Sequence, residues 1–483
     1  MQNSKLYSIL ERFDKYEQNR LKKFLTSPYF NRNEALVMLY DLLVGHINEK
    51  PQGKSQTAKP EPELEKTELW EKIYPGESYD DVLFRKNCSD LLKLIEDFLA
   101  QQVYEENPIN QATFLIEAVA KKKLDKLYNS TMKSARRLTE QQPYRTASYY
   151  LAQYQVEKNY FDILGLEHDR TTKKNEEEIL NNLDRFFIAE KLRIACSVMS
   201  QKILVSHEYN LLLMEDIVAE INRQGFEDVP PIAVYYQIFL SYTDSENTNH
   251  YFKLMNILEK FGDTFPRIEA EFIYQAALNY CVKKLNQGSR QFLEEYFNVF
   301  VILLEKELLL KDGELSPWHF RNIVVIALRL GNTDWTQNFI DKYKKYLPDN
   351  MRDNAVSFNL AQLYFSQKKY DNVIELLRNV EYEDFSYNLN SKTMLMSTYY
   401  EIDEIEPLYS LMDSFRTYLN RHKDFPASRR VHYTNLIKFT KQITKIIAGD
   451  KKSIDKIRKE IDEAEPKGIA NITWLREKIA ELE

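Results

Sequence analysis

From residue 230 onward, apolar side chains recur in paired helical stripes, with a short polar break inside each pair. The pairs run 231–243 with 246–262, 267–285 with 289–310, 317–330 with 334–346, 351–366 with 370–380, and 389–401 with 404–420. Their starts lie 36, 50, 34 and 38 residues apart. A chain patterned in this way is constrained to fold as consecutive antiparallel hairpins, because a helix with one apolar stripe must bury it against neighbouring helices. Each hairpin then needs only its neighbours, which removes the size limit that a single core would set on 483 residues. Turn residues agree with this reading. Only 11 glycines and 15 prolines occur, and Pro108, Pro230, Pro231, Pro317, Pro348 and Pro426 stand where helices are expected to start or stop, as proline requires. No long alternation of apolar and polar residues is bounded by turn signals, so nothing argues for a sheet.

The clearest pair lies between Asn354 and Val380. Phe358, Ala361, Leu363 and Tyr364 lie close together at helical spacing, Val373, Ile374, Leu376 and Leu377 do the same, and Gln367, Lys368 and Lys369 form the turn. On these residues the segment resembles a tetratricopeptide repeat, whose small, aromatic and second-helix apolar positions fall on Ala361, Tyr364, Tyr370, Val373, Leu377 and Val380. Gly331 at an inter-helix turn and Pro348 at the close of the hairpin begun at Pro317 fit the same family. The tryptophan-leucine-glycine signal of the repeat's first helix is absent throughout, so the repeats are degenerate. The resemblance implies an all-α, right-handed α-solenoid of antiparallel helical hairpins that serves as a platform for another molecule.

Four segments are expected. Residues 1–103 form a divergent N-terminal helical block, with a polar, proline-bearing loop near 49–66. One helix of the block carries Leu36, Leu39, Tyr40, Leu43 and Ile47. Ser78, with Asp81 three residues on, is expected to cap a longer helix reaching about Gln102, whose buried side comprises Phe84, Cys88, Leu91, Leu92, Ile95, Phe98 and Leu99. Through the run from Ser27 to Asn31 and the run from Leu69 to Gly76, this block is similar to the opening of a group of uncharacterised bacterial helical-repeat proteins. It is also loosely similar to the winged-helix part of bacterial activators with tetratricopeptide repeats, but Glu96 and Asp97 would repel phosphate and the glycine-rich wing is missing. Residues 104–229 read as an irregular helical array with breaks near 141–143, 165–169 and 206, and with Tyr144, Tyr149, Tyr150, Tyr154 and Tyr160 concentrated in one helix. Residues 230–425 hold the tetratricopeptide-like hairpins, and 426–483 form basic capping helices.

Net charge of −7 and a pI near 5.8 describe neither a strongly basic nucleic-acid binder nor an acidic disordered chain. The longest apolar runs, such as Phe297 to Leu304, fall far short of the roughly 20 residues of a membrane span. Glu11 and Asp14 stand where a signal peptide needs an apolar core, so a cytoplasmic location without membrane contact is expected. Cys88, Cys196 and Cys281 lie far apart on expected helices and read as reduced thiols. No two glycines are closer than about eight residues, which rules out the glycine-rich phosphate cradles. The seven histidines show no pair at the spacing that puts two metal ligands on one helical face, and no serine or cysteine occupies a nucleophile elbow. The expectation is a protein without enzymatic activity, cofactor or metal.

Two features can bind. In the tetratricopeptide family the first helices of successive hairpins line the concave face, which would bring Trp318, Arg321 and Arg329 beside Phe358, Gln362 and Phe365, followed by Asn390, Thr393 and Tyr400. Such a mixed aromatic, amide and basic groove suits a peptide or helix, although packing between repeats explains the aromatics equally well. The lysine and asparagine pattern with which chaperone-binding members grip a terminal carboxylate is not visible. The other feature lies between Arg421 and Glu460, where twelve Lys or Arg face four acids; Arg429, Arg430, Lys438, Lys441, Lys445, Lys451 and Lys452 are its candidate anion-binding residues. This excess would attract nucleic acid, an acidic protein or an acidic segment of the same chain, or form a solvated face. The sequence therefore reads as a scaffold or adaptor for a protein or peptide partner. The alternative is a nucleic-acid-associated regulator using the basic C-terminal helices or the N-terminal block.

Overall fold

The computed structural model describes residues 1–49, 64–164, 175–202, 209–378, 385–422 and 426–483. Most of the expected loop near 49–66, the breaks at 165–169 and 206, and the repeat position Val380 lie outside the described residues. Among those described the protein is an all-α solenoid of 23 α-helices, and it divides into two compact units.

The first unit, Met1–Arg193 with Phe226–Ile232, holds α1 (Lys5–Leu10), α2 (Lys15–Leu25), α3 (Glu34–Asn48), α4 (Lys66–Ile73), α5 (Asp81–Glu105), α6 (Pro108–Lys121), α7 (Asp125–Glu140), α8 (Ala147–Leu164) and the start of α9 (Glu176–Lys202). Helix α3 packs against α1, α2, α4 and α5, and its Leu36, Leu39, Tyr40 and Leu43 enter one core with Trp70, Phe84, Leu91 and Ile95. Asp14 and Glu17 form a reciprocal capping box at the start of α2, and Asn33 caps α3. The start of α5 differs from the expectation. Its cap is Asp80, whose Oδ1 accepts from the amides of Val82 and Leu83 at 2.9 and 3.0 Å, because an aspartate one residue before the helix reaches those free N–H groups and Ser78 does not. Leu99 is also misplaced by the pattern: it is 39% exposed while Phe98 is buried, since adjacent residues on a helix point about 100° apart.

Helices α6, α7 and α8 pack together around Ile116, Met132 and Val156. Tyr144, expected in the tyrosine-dense helix, lies before α8 and is 42% exposed, and of the tyrosines of α8 it is Tyr160 that serves this packing. Tyr150 is buried, Tyr160 stacks on Tyr128 at 6.1 Å, and Arg136 lies over Tyr160 while meeting the buried Glu157 with two bonds of 2.8 Å.

The second unit, Ile194–Gly225 with Ala233–Glu483, holds the rest of α9, α10 (Met214–Gln224), most of α11 (Pro230–Thr243), α12 (Asn249–Phe261), α13 (Arg267–Asn286), α14 (Gln291–Glu305), α15 (Pro317–Arg329), α16 (Thr333–Tyr343), α17 (Asp349–Ser366), α18 (Tyr370–Arg378), α19 (Phe385–Glu401), α20 (Ile405–Arg421), α21 (Ala427–Ile443), α22 (Lys451–Ala464) and α23 (Ile472–Glu481). The expected segments 1–103 and 104–229 thus fall mainly in the first unit, and 230–425 and 426–483 mainly in the second. First helices lie side by side, α15 against α17 and α17 against α19, and each packs on its own second helix. Helix α14 ends at Glu305, short of the expected 310, because Glu307 turns left-handed with φ of 54° and the Leu308 amide bonds back to the Leu303 carbonyl at 2.9 Å; Leu310–Lys311 then pairs with Glu314–Leu315 in a two-residue antiparallel ladder. Asp312 and Gly313 turn it with φ of 52° and 82°, the aspartate-glycine pair that such tight hairpins favour. This insertion lengthens the 50-residue interval between the second and third hairpins.

A common turn ends the first helix of four of these hairpins. Gly288, Gly331, Lys368 and Asp403 all have positive φ, of 88°, 79°, 57° and 59°. In each case the next amide bonds back to the carbonyl five residues earlier: Ser289 to Lys284 at 3.0 Å, Asn332 to Ala327, Lys369 to Tyr364 and Glu404 to Tyr399 at 2.9 Å. The left-handed residue ends the helix, satisfies its last carbonyls and reverses the chain. A side chain is disfavoured in that conformation by roughly 1 kcal/mol relative to glycine. Lys368→Gly should therefore raise stability by a few tenths to about 1 kcal/mol, and Gly331→Ala should lower it by about 1 kcal/mol. Urea unfolding followed by circular dichroism checks both, and a stabilised Gly331→Ala chain would contradict the turn assignment.

Candidate functional site

The faces of α15, α17 and α19 that are not buried against second helices converge on a cavity of about 450 Å³. Helix α15 contributes Arg321, and α17 contributes Phe358, Gln362 and Phe365, spaced four and three apart on one face. Helix α19 contributes Asn390, Thr393, Met394 and Ser397 at the same helical spacing. The remaining wall is made by His432 and Tyr433 of α21 and by Ala470 and Asn471, in the turn before α23.

Six of the nine residues expected in a groove line this cavity: Arg321, Phe358, Gln362, Phe365, Asn390 and Thr393. Trp318 is 43% exposed beside it, with its ring 6.0 Å from the Arg321 guanidinium. Arg329 lines a different cleft, together with Ser289 and Arg290. Tyr400 packs edge-on against Trp474 at 5.3 Å, a residue of the capping helix. Phe358 has a double role. It floors the cavity, yet it is 1% exposed and stands edge-on to Tyr387 at 5.2 Å in the core of its hairpin.

The lining is polar without being acidic. Among the described residues no carboxylate lines the cavity, and Arg321 is its one full positive charge. The guanidinium lies 5.8 Å from the Phe358 ring as well as near Trp318, a position in which aromatic faces stabilise a cation. Thr393 Oγ1 is buried and has no hydrogen-bond partner among the described residues. Among the described residues the side-chain amides of Gln362 and Asn390 also have none. Burial pushes the Tyr433 phenol up, against the pull of Arg321 and Arg429, so it stays a neutral donor.

Sequence reasoning missed the wall that arrives from the C-terminal helices. Ser397 continues the spacing of Asn390 and Thr393 and was available from it; His432, Tyr433 and Asn471 come from 40 to 80 positions further on and carry no local signal. Their placement is fixed by three bonds: the Ala470 amide to the His432 carbonyl at 3.0 Å, Asn435 Nδ2 to the Gly468 carbonyl at 3.0 Å, and Asn471 Nδ2 to Ser397 Oγ at 3.2 Å. Gly468 has φ of 90°, and a Cβ there would stand 2.0 Å from His432 Nε2, so only glycine fits. Helix α23 is anchored by Glu401, which accepts from Trp474 Nε1 at 2.8 Å and from Lys478 Nζ at 2.9 Å. Burial disfavours the Lys478 charge, but the bonds to Glu401 and Glu481 outweigh it and hold the pKa above the usual lysine value.

The basic residues expected to bind anions lie on α21, just after it, and on the first turn of α22. Lys438 is 3.2 Å from Glu460, Lys441 lies over the Tyr409 ring at 5.4 Å, and Arg430 donates to the His422 carbonyl at 3.4 Å. Arg429, Lys445, Lys451 and Lys452 are exposed. A second, mostly apolar cavity of about 370 Å³, lined by Ile238, Tyr242, Leu254, Tyr280 and Lys283, was not foreseen. Cys196 and Cys281 are buried and Cys88 is half-buried; burial raises all three thiols, Cys281 to about 12. Among the described residues no three His, Cys, Asp or Glu side chains are grouped to hold a metal ion, and no helix is long and apolar enough to cross a membrane.

No family model matches the chain, and no curated protein matches it. Among solved structures it is similar to the crystal structure of yeast Tom70, with 13% identity over 78% of this chain and 97% of that one, at a TM-score of 0.16. A score that low does not superpose two folds, so the solenoid assignment rests on the order and packing of the helices described above.

Removing Lys478 would strand the Glu401 carboxylate at the base of the wall. Lys478→Ala is expected to destabilise the protein by about 3 kcal/mol, and Glu401→Gln added to it should recover part of the loss. Denaturant unfolding of the single and double variants measures this coupling; strictly additive losses would contradict it.

Proposed function

We propose that the protein is a non-enzymatic scaffold that holds a peptide or an exposed segment of a protein partner across α15, α17 and α19. The observation that carries this reading is a set of polar side chains, Gln362, Asn390 and Thr393, that have no hydrogen-bond partner among the described residues and are brought to one cavity by adjacent first helices. The buried Thr393 hydroxyl costs stability while unbonded, the water-accessible amides of Gln362 and Asn390 can exchange water for a ligand, and a peptide supplies both N–H and C=O groups to pair with them. The spacing is favourable too. Packed helices lie roughly 8–10 Å apart, close to the span of three residues in an extended chain at about 3.3 Å each. Successive first helices can therefore address every third residue of a bound strand.

The nucleic-acid alternative draws less from the structure, because Lys438 is neutralised by Glu460 and Lys441 is laid over Tyr409. A screen of the full chain against a library of short peptides tests the proposal. Gln362→Leu combined with Asn390→Leu should weaken the best binders by at least about tenfold, the loss of one or two hydrogen bonds, with helicity and melting temperature unchanged. Phe358 is unsuited to this test because its removal would damage the core. Unchanged affinity in the double variant would place binding elsewhere.

A further inference from the structure

We infer that the cleft between the α13–α14 turn and the end of α15 holds a phosphorylated side chain of a partner segment, gripped by Arg290 and Arg329. The inference rests on the scaffold reading and extends it to a second site, outside the cavity of α15, α17 and α19. The cleft measures about 420 Å³ and is lined by Leu285 of α13, by Gly288, Ser289 and Arg290 of the turn, by Leu293 of α14 and by Arg329 of α15. Two guanidinium groups thus share one cleft that no described carboxylate lines. Both are exposed. Elsewhere in this unit arginines are tied down: Arg267 meets Glu271 at 2.9 Å, and Arg352 meets Asp349 at 2.7 Å. Among the described residues neither Arg290 nor Arg329 has an ion pair, a side-chain hydrogen bond or an aromatic face against it. Glu294, one turn after Arg290, and Asp334, in the first turn of α16, are their closest carboxylates in sequence; both are exposed and pair with neither.

The chemistry of the lining narrows the ligand. Two guanidiniums balance the charge of about −2 that a phosphate monoester carries at neutral pH, whereas a carboxylate would balance one. Their planar forks match phosphate oxygens in pairs. The Ser289 hydroxyl, without a hydrogen-bond partner among the described residues, adds a donor beside them. Arg290 immediately precedes the fifteen-residue α14, which has no side-chain cap, so the positive end of that helix adds to the field of the two arginines. Leu285 and Leu293 give the cleft apolar walls, which suit a phosphate carried on the carbons of a side chain rather than a free ion. Position points to the same partner. Arg329 stands eight residues beyond Arg321 on α15, about 12 Å along the helix and the span of roughly four residues of extended chain. A segment held in the cavity therefore reaches the cleft with a phosphorylated residue about four positions on.

The test uses the full chain and peptide libraries acetylated at one end and amidated at the other, with one fixed position occupied by phosphoserine, serine or glutamate. The best phosphoserine peptides should bind at least about tenfold tighter than their serine counterparts, the scale of a charge-assisted bond, and tighter than the glutamate ones. Arg290→Gln combined with Arg329→Gln should shrink that preference to about twofold or less, with the corresponding Lys pair intermediate because it keeps the charges and loses the forks. Circular dichroism and melting temperature establish that both double variants fold. Equal binding of phosphoserine and serine peptides, or a preference that survives the Gln pair, would overturn the inference; if binding still weakened in Gln362→Leu with Asn390→Leu, the scaffold reading would stand. Displacement of the peptides by inorganic phosphate at or below their own dissociation constants would mark a free-ion site and overturn the partner segment. A preference abolished by the Gln pair but unmoved by Gln362→Leu with Asn390→Leu would support the cleft and contradict binding across α15, α17 and α19. If no blocked peptide bound, both readings would fall.

Discussion

Four hairpins of the second unit depend on one backbone event, the left-handed residue at the end of a first helix. At Gly288, Gly331, Lys368 and Asp403 the chain reverses within a few residues while the last carbonyls of the helix are still satisfied. That tight reversal lays the second helix against the first, so that Val373 and Leu377 of α18 meet Phe358 and Ala361 of α17 in one core. Once second helices cover one side, first helices are left to pack on one another and to present their remaining face. The cavity follows from that order: the free faces of the first helices α15, α17 and α19 form one side of it, and α21 with the turn before α23 closes the other.

Most of the helices were legible in the sequence, because burial of one stripe per helix leaves a 3.6-residue period that no sheet would produce. The proline boundaries were legible for the same kind of reason, a steric one: Pro108 and Pro317 stand in the first turns of α6 and α15. The common turn was legible in part: Gly331 and the run from Gln367 to Lys369 read as turns, but the shared left-handed backbone did not show. Glycine marks it at two positions, but lysine and aspartate occupy it at the other two, and neither announces a positive φ. The Asp312-Gly313 hairpin was overlooked for the opposite reason, since a two-residue ladder is too short to leave an alternating pattern. At the start of α5, Ser78 and Asp80 are both capping residues, and only the backbone path decides which one reaches the free amides.

The site was legible in proportion to how local it is. Arg321, Phe358, Gln362, Phe365, Asn390 and Thr393 share helical faces, so their convergence follows from spacing and from first helices being neighbours. Tyr400 obeys the same spacing but lies beyond the cavity, where Trp474 covers it. The wall of His432, Tyr433 and Asn471 follows from how α21 and α23 fold back, and that depends on Gly468 and on the bonds of Glu401 to Trp474 and Lys478. The C-terminal helices thus cap the apolar end of the array and also complete its polar cavity. The charge excess that drew attention to them in the sequence lies outside that cavity.

The central claim is that a ligand segment lies across α15, α17 and α19 under the turn before α23. Hydrogen–deuterium exchange of the full chain, with and without a peptide selected for binding, tests it most directly. The account predicts added protection within 317–329, 349–366, 385–401 and around 470–475, with the exposed lysines of α22 unaffected. Protection confined to α21 and α22, or to the first unit, would contradict it.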